Sequence, residues 1–176
     1  LPNIRTLLTA VNLFKSIGLR SDIELFKLSL HNITKNTGLM GRWQKVGDSP
    51  TTIIDTGHNE AGWLYVSQML AATQADCKKK GAELRVVFGM VDDKEVDAVM
   101  LMLPKDAVYY FTQAQTHRAI PCETIKAKAE RIGLKGKAYP SAATAYTTAK
   151  NKAAKDDVVF IGGSNYIVGE IELPKY

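Results

Sequence analysis

Residues 41–63 read "GRWQKVGDSPTTIIDTGHNEAGW". Within this stretch "TTIID" is short, apolar and β-branched, the composition of a buried strand. It ends on Asp55, Gly57, His58 and Asn59. A strand end requires only a turn residue, so an acid, an imidazole and an amide crowded there call for another explanation. The segment that follows, "EAGWLYVSQMLAATQADCKKK", reads as a helix whose terminal lysines complement its dipole. A strand, a polar loop and a helix in this order form one half of a β-α-β unit.

The same unit recurs downstream. "LRVVFGM" reads as a buried strand and "DKEVDAVMLML" as a helix; "AVYYFTQ" is a strand and "CETIKAKAERIG" a helix. "KAY" reads as a short strand, "SAATAYTTAKNKA" as a helix and "DVVFIGG" as the last strand, with "SNYIVGEIEL" left as a short element of open type. The alternation predicts an α/β fold with a mostly parallel sheet and helices on both faces. Upstream, Ile4, Leu7, Leu8, Val11 and Phe14 give the stripe of a helix over residues 3–17. A second helix is expected from Ser21, with Ser21 and Glu24 as a capping box and Ile23, Phe26, Leu30 and Ile33 as its stripe. "TKNTG", residues 34–38, reads as a linker.

The composition is that of a globular chain: 176 residues, 45% hydrophobic and 23% charged, with a net charge of +5. The lysines are scattered and no aromatics interleave with them, which argues against nucleic acid as a partner. No run approaches the ~18 apolar residues of a membrane span. Cys77 and Cys122 are far apart and lack metal-ligand neighbours, so they are expected to be reduced cytoplasmic thiols. The chain opens at Leu1 without a Met and is expected to be a piece of a longer protein.

In a parallel sheet, ligands bind beyond the carboxyl ends of the strands. Here those ends read "DTGHN", "GMVDD", "FTQAQTHRA" and "GGSN". The topology therefore predicts a shared rim for Asp55, His58, Asn59, Asp92, Asp93, His117, Arg118 and Ser164. The imidazole of His58 could bridge a phosphate or a carboxylate. Arg42 offers a fork for phosphate oxygens. Asp55 could accept hydrogen bonds from ribose hydroxyls or close an Asx-turn, and Asn59 is best read as the cap of the next helix. "FIGGSN" is Gly-rich, but it is neither a Walker A loop nor a GxGxxG turn.

Taken in order, six stretches carry a resemblance: "PNIRTLLTAV", "GLMGRWQ", "IIDTGHNEAG", "FGMVDDKE", "TQAQTHRAI" and "FIGGSNYIVGE". The chain resembles the C-terminal part of the folylpolyglutamate synthase/dihydrofolate synthase family, within the Mur ligase superfamily. The resemblance implies a three-layer, Rossmann-like C-terminal domain over residues 41–176. Residues 1–40 would be the last helices of the preceding ATPase domain and a linker. It implies an ATP- and Mg2+-dependent ligase that activates a carboxylate as an acyl phosphate and joins L-glutamate to it. The acceptor would be a folate polyglutamate tail or dihydropteroate.

By position, the resemblance places Asn3, Arg42 and Asp55 at ATP, His58 near the transferred phosphoryl group, and Ser164 and Tyr166 at the incoming glutamate. No metal ligand is assigned to these residues. Magnesium would be held by the chain's own N-terminal ATPase domain, because no P-loop occurs in this sequence, and the piece alone is expected to be inactive. Glu60 and Asn165 depart from the family's common Pro and Leu. Two alternatives follow the same residues less fully: a peptidoglycan Mur-type ligase domain, and a non-catalytic nucleotide-binding module.

Overall fold

The computed structural model describes residues 2–18, 22–91 and 95–172, with side chains from residue 5 onward. The chain divides into two compact units, Leu1–Met40 and Gly41–Tyr176.

The first unit contains α1 (Pro2–Ser16), α2 (Ile23–His31) and α3 (Ile33–Thr37). The capping box expected at Ser21 is corrected. Ser21 lies outside the described residues, and the cap is Asp22, whose Oδ1 accepts from the N–H groups of Glu24 at 2.6 Å and Leu25 at 3.3 Å. Asp caps as well as Ser, and its charge also suits the positive end of the helix. The linker expected at 34–38 is largely helical. Asn32 ends α2 by donating its side-chain amide to Leu28 O at 2.9 Å, and the chain re-enters a helix at Ile33. Neither α2 nor α3 buries a residue.

The second unit holds one six-stranded sheet in the order β1-β2-β6-β3-β4-β5. The strands are β1 (Gln44–Asp48), β2 (Thr51–Ile54), β3 (Leu84–Phe88), β4 (Val108–Thr112), β5 (Lys135–Tyr139) and β6 (Val158–Gly162). The helices are α4 (Glu60–Lys80), α5 (Val96–Leu101), α6 (Cys122–Arg131), α7 (Ala142–Lys152) and α8 (Asn165–Gly169). Strands β2 to β6 are mutually parallel, and β1 pairs antiparallel with β2, with Gln44 opposite Ile54 and Asp48 opposite Thr51. The mostly parallel sheet matches the sequence reading, and β1 is an addition to it. Four of the five residues of "QKVGD" lack burial and only Val46 reaches the core, so no apolar run announces this edge strand.

Crossover handedness fixes the layers. The chain steps from β2 to β3, β4 and β5 in one direction, and right-handed crossovers put α4, α5 and α6 on one face. The return from β5 to β6 runs the opposite way and puts α7 on the other face. The buried residues divide accordingly. Trp63, Leu70, Val99 and Ile125 pack with Val86, Phe88, Phe111 and Phe160 on the first face. Ala142, Ala145 and Ala149 of α7 pack with Val87, Val159 and Ile161 on the second. Alternate residues of β3 and β6 thus serve opposite layers. At the far edge, Lys135 and Lys137 of β5 are exposed and guard the open strand against further pairing.

At the amino ends of β3 and β6 lies a buried polar knot. Arg85 Nε donates to Asp157 Oδ2 at 2.9 Å and its Nη1 to the Tyr110 hydroxyl at 3.0 Å. Asp157 also accepts from the N–H of Glu83 and of Ala154, each at 2.9 Å. Burial acts to raise the Asp157 pKa. The two backbone N–H groups and the Arg85 guanidinium outweigh it and hold the carboxyl below its ordinary value of 3.8. A depressed folded pKa means that the unfolded chain binds the proton first. The contribution is therefore complete above about pH 3.8 and is lost as pH falls through the lower folded value. Asp157→Asn is expected to cost about 2 kcal/mol at pH 7. In urea unfolding at decreasing pH the two proteins should converge below pH 3.8. A constant difference down to the acid transition would refute the assignment.

Among the described residues no helix is long and apolar enough to cross a membrane. Both cysteines are free and buried.

Candidate functional site

The strand order creates a switch point beside β6. Its loop leads to α8, whose Ile167 and Val168 pack on the α7 face. The loops of its neighbours β2 and β3 lead to α4 and α5 on the other face. Loops that diverge at adjacent strand ends leave a crevice between them. A cleft of about 450 Å³ opens there. His58 and Asn59 line it from the β2 loop, Met90, Val91 and Glu95 from the β3 loop, Arg118 from the β4 loop, and Asn165 and Tyr166 from α8.

Local chemistry fixes each wall. Asn59 caps α4 through Oδ1, which accepts from Gly62 N–H at 2.9 Å. Glu95 Oε2 accepts from Glu60 N–H at 2.7 Å, so a carboxylate from the β3 loop sits at the positive end of α4. His58 is exposed, with Nδ1 3.2 Å from Thr56 O. The tautomer that donates to this carbonyl carries the proton on Nδ1 and leaves Nε2 as an acceptor. Ser164 is fully buried and caps α8, its Oγ accepting from Tyr166 N–H at 3.2 Å. Tyr166 itself is 41% exposed.

Arg118 is exposed and makes no ion pair among the described residues. Its loop is nevertheless tied down on several sides. Ala119 bridges to Val91, Ile120 N–H donates to Met90 O at 3.1 Å, and Gln115 N–H donates to Glu170 Oε1 at 2.5 Å. A guanidinium carried on a braced loop, at the mouth of a cleft and without an internal counter-ion, is equipped to bind a carboxylate or a phosphate.

Of the sequence-predicted site residues, the structure brings His58 and Tyr166 to one cleft, with Ser164 buried directly behind Tyr166. Arg42 and Asp55 do not line it. Arg42 is exposed and without an ion pair among the described residues. Asp55 is 6% exposed, and its carboxylate accepts from Trp43 N–H and Gly57 N–H, each at 2.7 Å. Asn3 belongs to α1 of the first unit, and its side chain is outside those described. Of the wider rim, Asn59 and Arg118 join the cleft, His117 is exposed elsewhere, and Asp92 and Asp93 lie outside the described residues. The sequence pattern places Arg118 on the rim without a specific role and does not point to Glu95. An unpaired Arg in a βα loop was the available signal for the first; the second is a cap that acts across 35 residues. Among the described residues no three His, Cys, Asp or Glu side chains converge to hold a metal ion.

Comparison with known proteins is consistent with this geometry. The family described as Mur ligase, glutamate ligase domain, matches residues 41–165. The dihydrofolate synthase/folylpolyglutamate synthase of Buchnera aphidicola subsp. Schizaphis graminum is 27% identical over 172 residues, covering 97% of this chain and 38% of its own length. The chain thus spans well under half of that relative. Escherichia coli FolC, solved with DHPP and ADP, superposes with a TM-score of 0.71 at 24% identity, covering 91% of this chain and 36% of FolC. The bifunctional folylpolyglutamate synthase/dihydrofolate synthase of Yersinia pestis, complexed with AMPPNP and Mn ion, gives a TM-score of 0.61 at 24% identity, covering 74% of this chain and 30% of that one.

Proposed function

This chain belongs to the Mur ligase family, glutamate ligase domain, and from that premise we propose that it is the C-terminal part of an ATP-dependent ligase that adds L-glutamate to a folate polyglutamate tail or to dihydropteroate. The observation that carries the reading is the cleft at the switch point, where His58, Arg118 and Tyr166 converge. In the reaction the acceptor carboxylate attacks the γ-phosphorus of ATP and releases ADP. The glutamate amine then attacks the resulting acyl phosphate, giving the amide, phosphate and a proton.

Each residue takes the role its environment permits. Arg42, exposed and without an ion pair among the described residues, meets the phosphates of ATP. Asp55 lies on the nucleotide side, and Asn3 is assigned to ATP by the family resemblance alone. His58 stands by the transferred phosphoryl group. With Nδ1 on the Thr56 carbonyl, its Nε2 is free to hydrogen-bond the reacting groups. Arg118 takes a carboxylate of the incoming glutamate, while Ser164 sets the helix that presents Tyr166 to it. Magnesium is assigned to the preceding ATPase domain, as the family resemblance implies. The wide exposure of Leu13, Ile17 and Leu28, at 66%, 69% and 59%, supports the further reading that residues 1–40 pack against that domain.

The test uses the full-length ligase with labelled glutamate. Arg118→Ala should raise the glutamate KM roughly ten- to hundredfold, with the ATP KM nearly unchanged, as expected when one charged hydrogen-bonding partner is lost. Arg42→Ala should do the reverse. Wild-type ATP kinetics in Arg42→Ala and wild-type glutamate kinetics in Arg118→Ala together would sink the reading. The chain alone, lacking a P-loop, should show no glutamate addition.

A further inference from the structure

We propose that Asp55 is a positioning residue that holds Arg42 and His58 in one fixed relation, with Trp43 as its intermediary. The inference rests on the reading that Arg42 faces the nucleotide and His58 the reacting centre, and it gives Asp55 a different task from direct nucleotide contact.

Each oxygen of the Asp55 carboxylate accepts from a backbone donor. Oδ2 holds Trp43 N–H and Oδ1 holds Gly57 N–H, each at 2.7 Å. Trp43 adjoins Arg42 and Gly57 adjoins His58, so one buried carboxylate binds the main chain next to both functional side chains. At 6% exposure, water competes little for either bond.

Trp43 needs such a hold. Its φ of 45° places a bulky residue in the left-handed region, which persists only where the surroundings enforce it. Two contacts enforce it: the N–H on Asp55, and the indole ring, tilted over Phe160 with centroids 5.4 Å apart. On the other side of Arg42, the carbonyl of Gly41 accepts from both the N–H and the hydroxyl of Thr56, each at 2.9 Å. Gly41 has φ +80°, and a Cβ there would strike the Thr56 methyl. The backbone on both sides of Arg42 is therefore tied to residues 55 and 56, while the Arg42 side chain stays exposed. Asparagine cannot replace Asp55 in this arrangement. It supplies one acceptor oxygen, so one of the two N–H groups would face an NH2.

The experiment uses the 15N-labelled full-length protein, with AMPPNP and Mg2+ as the probe. In Asp55→Ala the amide resonances of both Trp43 and Gly57 should move, and their solvent exchange should quicken about tenfold or more. The AMPPNP affinity read at Arg42 should fall by a similar factor. Trp43→Ala should displace Arg42 and weaken AMPPNP likewise while leaving Gly57 in place, and Trp43→Phe, which keeps the ring on Phe160, should restore both. An Asp55→Ala protein whose Trp43 amide stays in place overturns the proposal, as does a Trp43→Ala protein with undisturbed Arg42. If both amides respond but Arg42→Ala binds AMPPNP as the wild type does, the brace stands and the nucleotide reading falls.

Discussion

Trp63→Ala is expected to cost about 3–5 kcal/mol, the range for removing a large buried aromatic side chain. Trp63 is fully buried in the first turn of α4. Its ring meets Phe88 edge-on at 5.6 Å and Phe160 at 6.2 Å, so it joins α4 to the two central strands of the switch point. Its Nε1 also donates to Gly57 O at 3.1 Å, which fixes the loop that carries His58. Urea unfolding of the variant should show the lost stability, with the Tm lowered by roughly 10 °C or more. Trp63→Phe separates the two contributions, because it keeps most of the ring and loses the N–H. It should retain most of the stability yet loosen the His58 loop, seen as faster amide exchange at residues 56–58. A loss below about 1 kcal/mol for the alanine variant would mean that the core does not depend on this ring.

Gly163→Ala should be comparably severe, on the order of 3–5 kcal/mol, because backbone strain and overpacking act together. Gly163 has φ +107°, and an added Cβ would fall on the carbonyl oxygen of Gly89, with Phe88 close behind. The loops after β3 and β6 touch at this point with no room for a side chain. Gly81 gives the comparison: its φ is +68° but nothing lies within 4 Å of its Cβ position. Gly81→Ala should therefore cost only ~1 kcal/mol, the strain without the collision. Equal losses at the two positions would show that the close approach of the loops contributes nothing. Under the proposed function, Gly163→Ala should also raise the glutamate KM of the full-length protein, since the displaced loop carries Ser164 and Tyr166.

Much of the fold was legible because burial on both faces writes itself into composition. "LRVVF" and "DVVFIG" are nearly continuous apolar runs, broken only by Arg85 and Asp157, because β3 and β6 are central strands, and α4 announces itself through its length, its Asn59 cap and its lysine end. Strand β1 left no such trace, since an antiparallel edge needs only one inward residue, and Val46 is that residue. At the site, sequence order identified the polar strand ends but not which of them meet. His58, Arg118 and Tyr166 come together only through strand order. What Asp55 touches was likewise hidden, because its partner Trp43 lies 12 residues upstream in a strained turn that no local pattern marks.

The place of β6 also sets a timetable. It is the last strand in the chain, yet it lies between β2 and β3, and both pair with it rather than with each other. A growing polypeptide that has not reached residue 158 has its first and second parallel strands made but no neighbour to join them. The crevice therefore comes into being only after β6 has been made, when α7 has carried the chain back across the finished strands. Such long-range closure is slow and leaves strand edges open in the meantime. A stop before residue 164 would therefore remove Ser164 and Tyr166, and one before residue 158 would remove the strand that makes one sheet out of two.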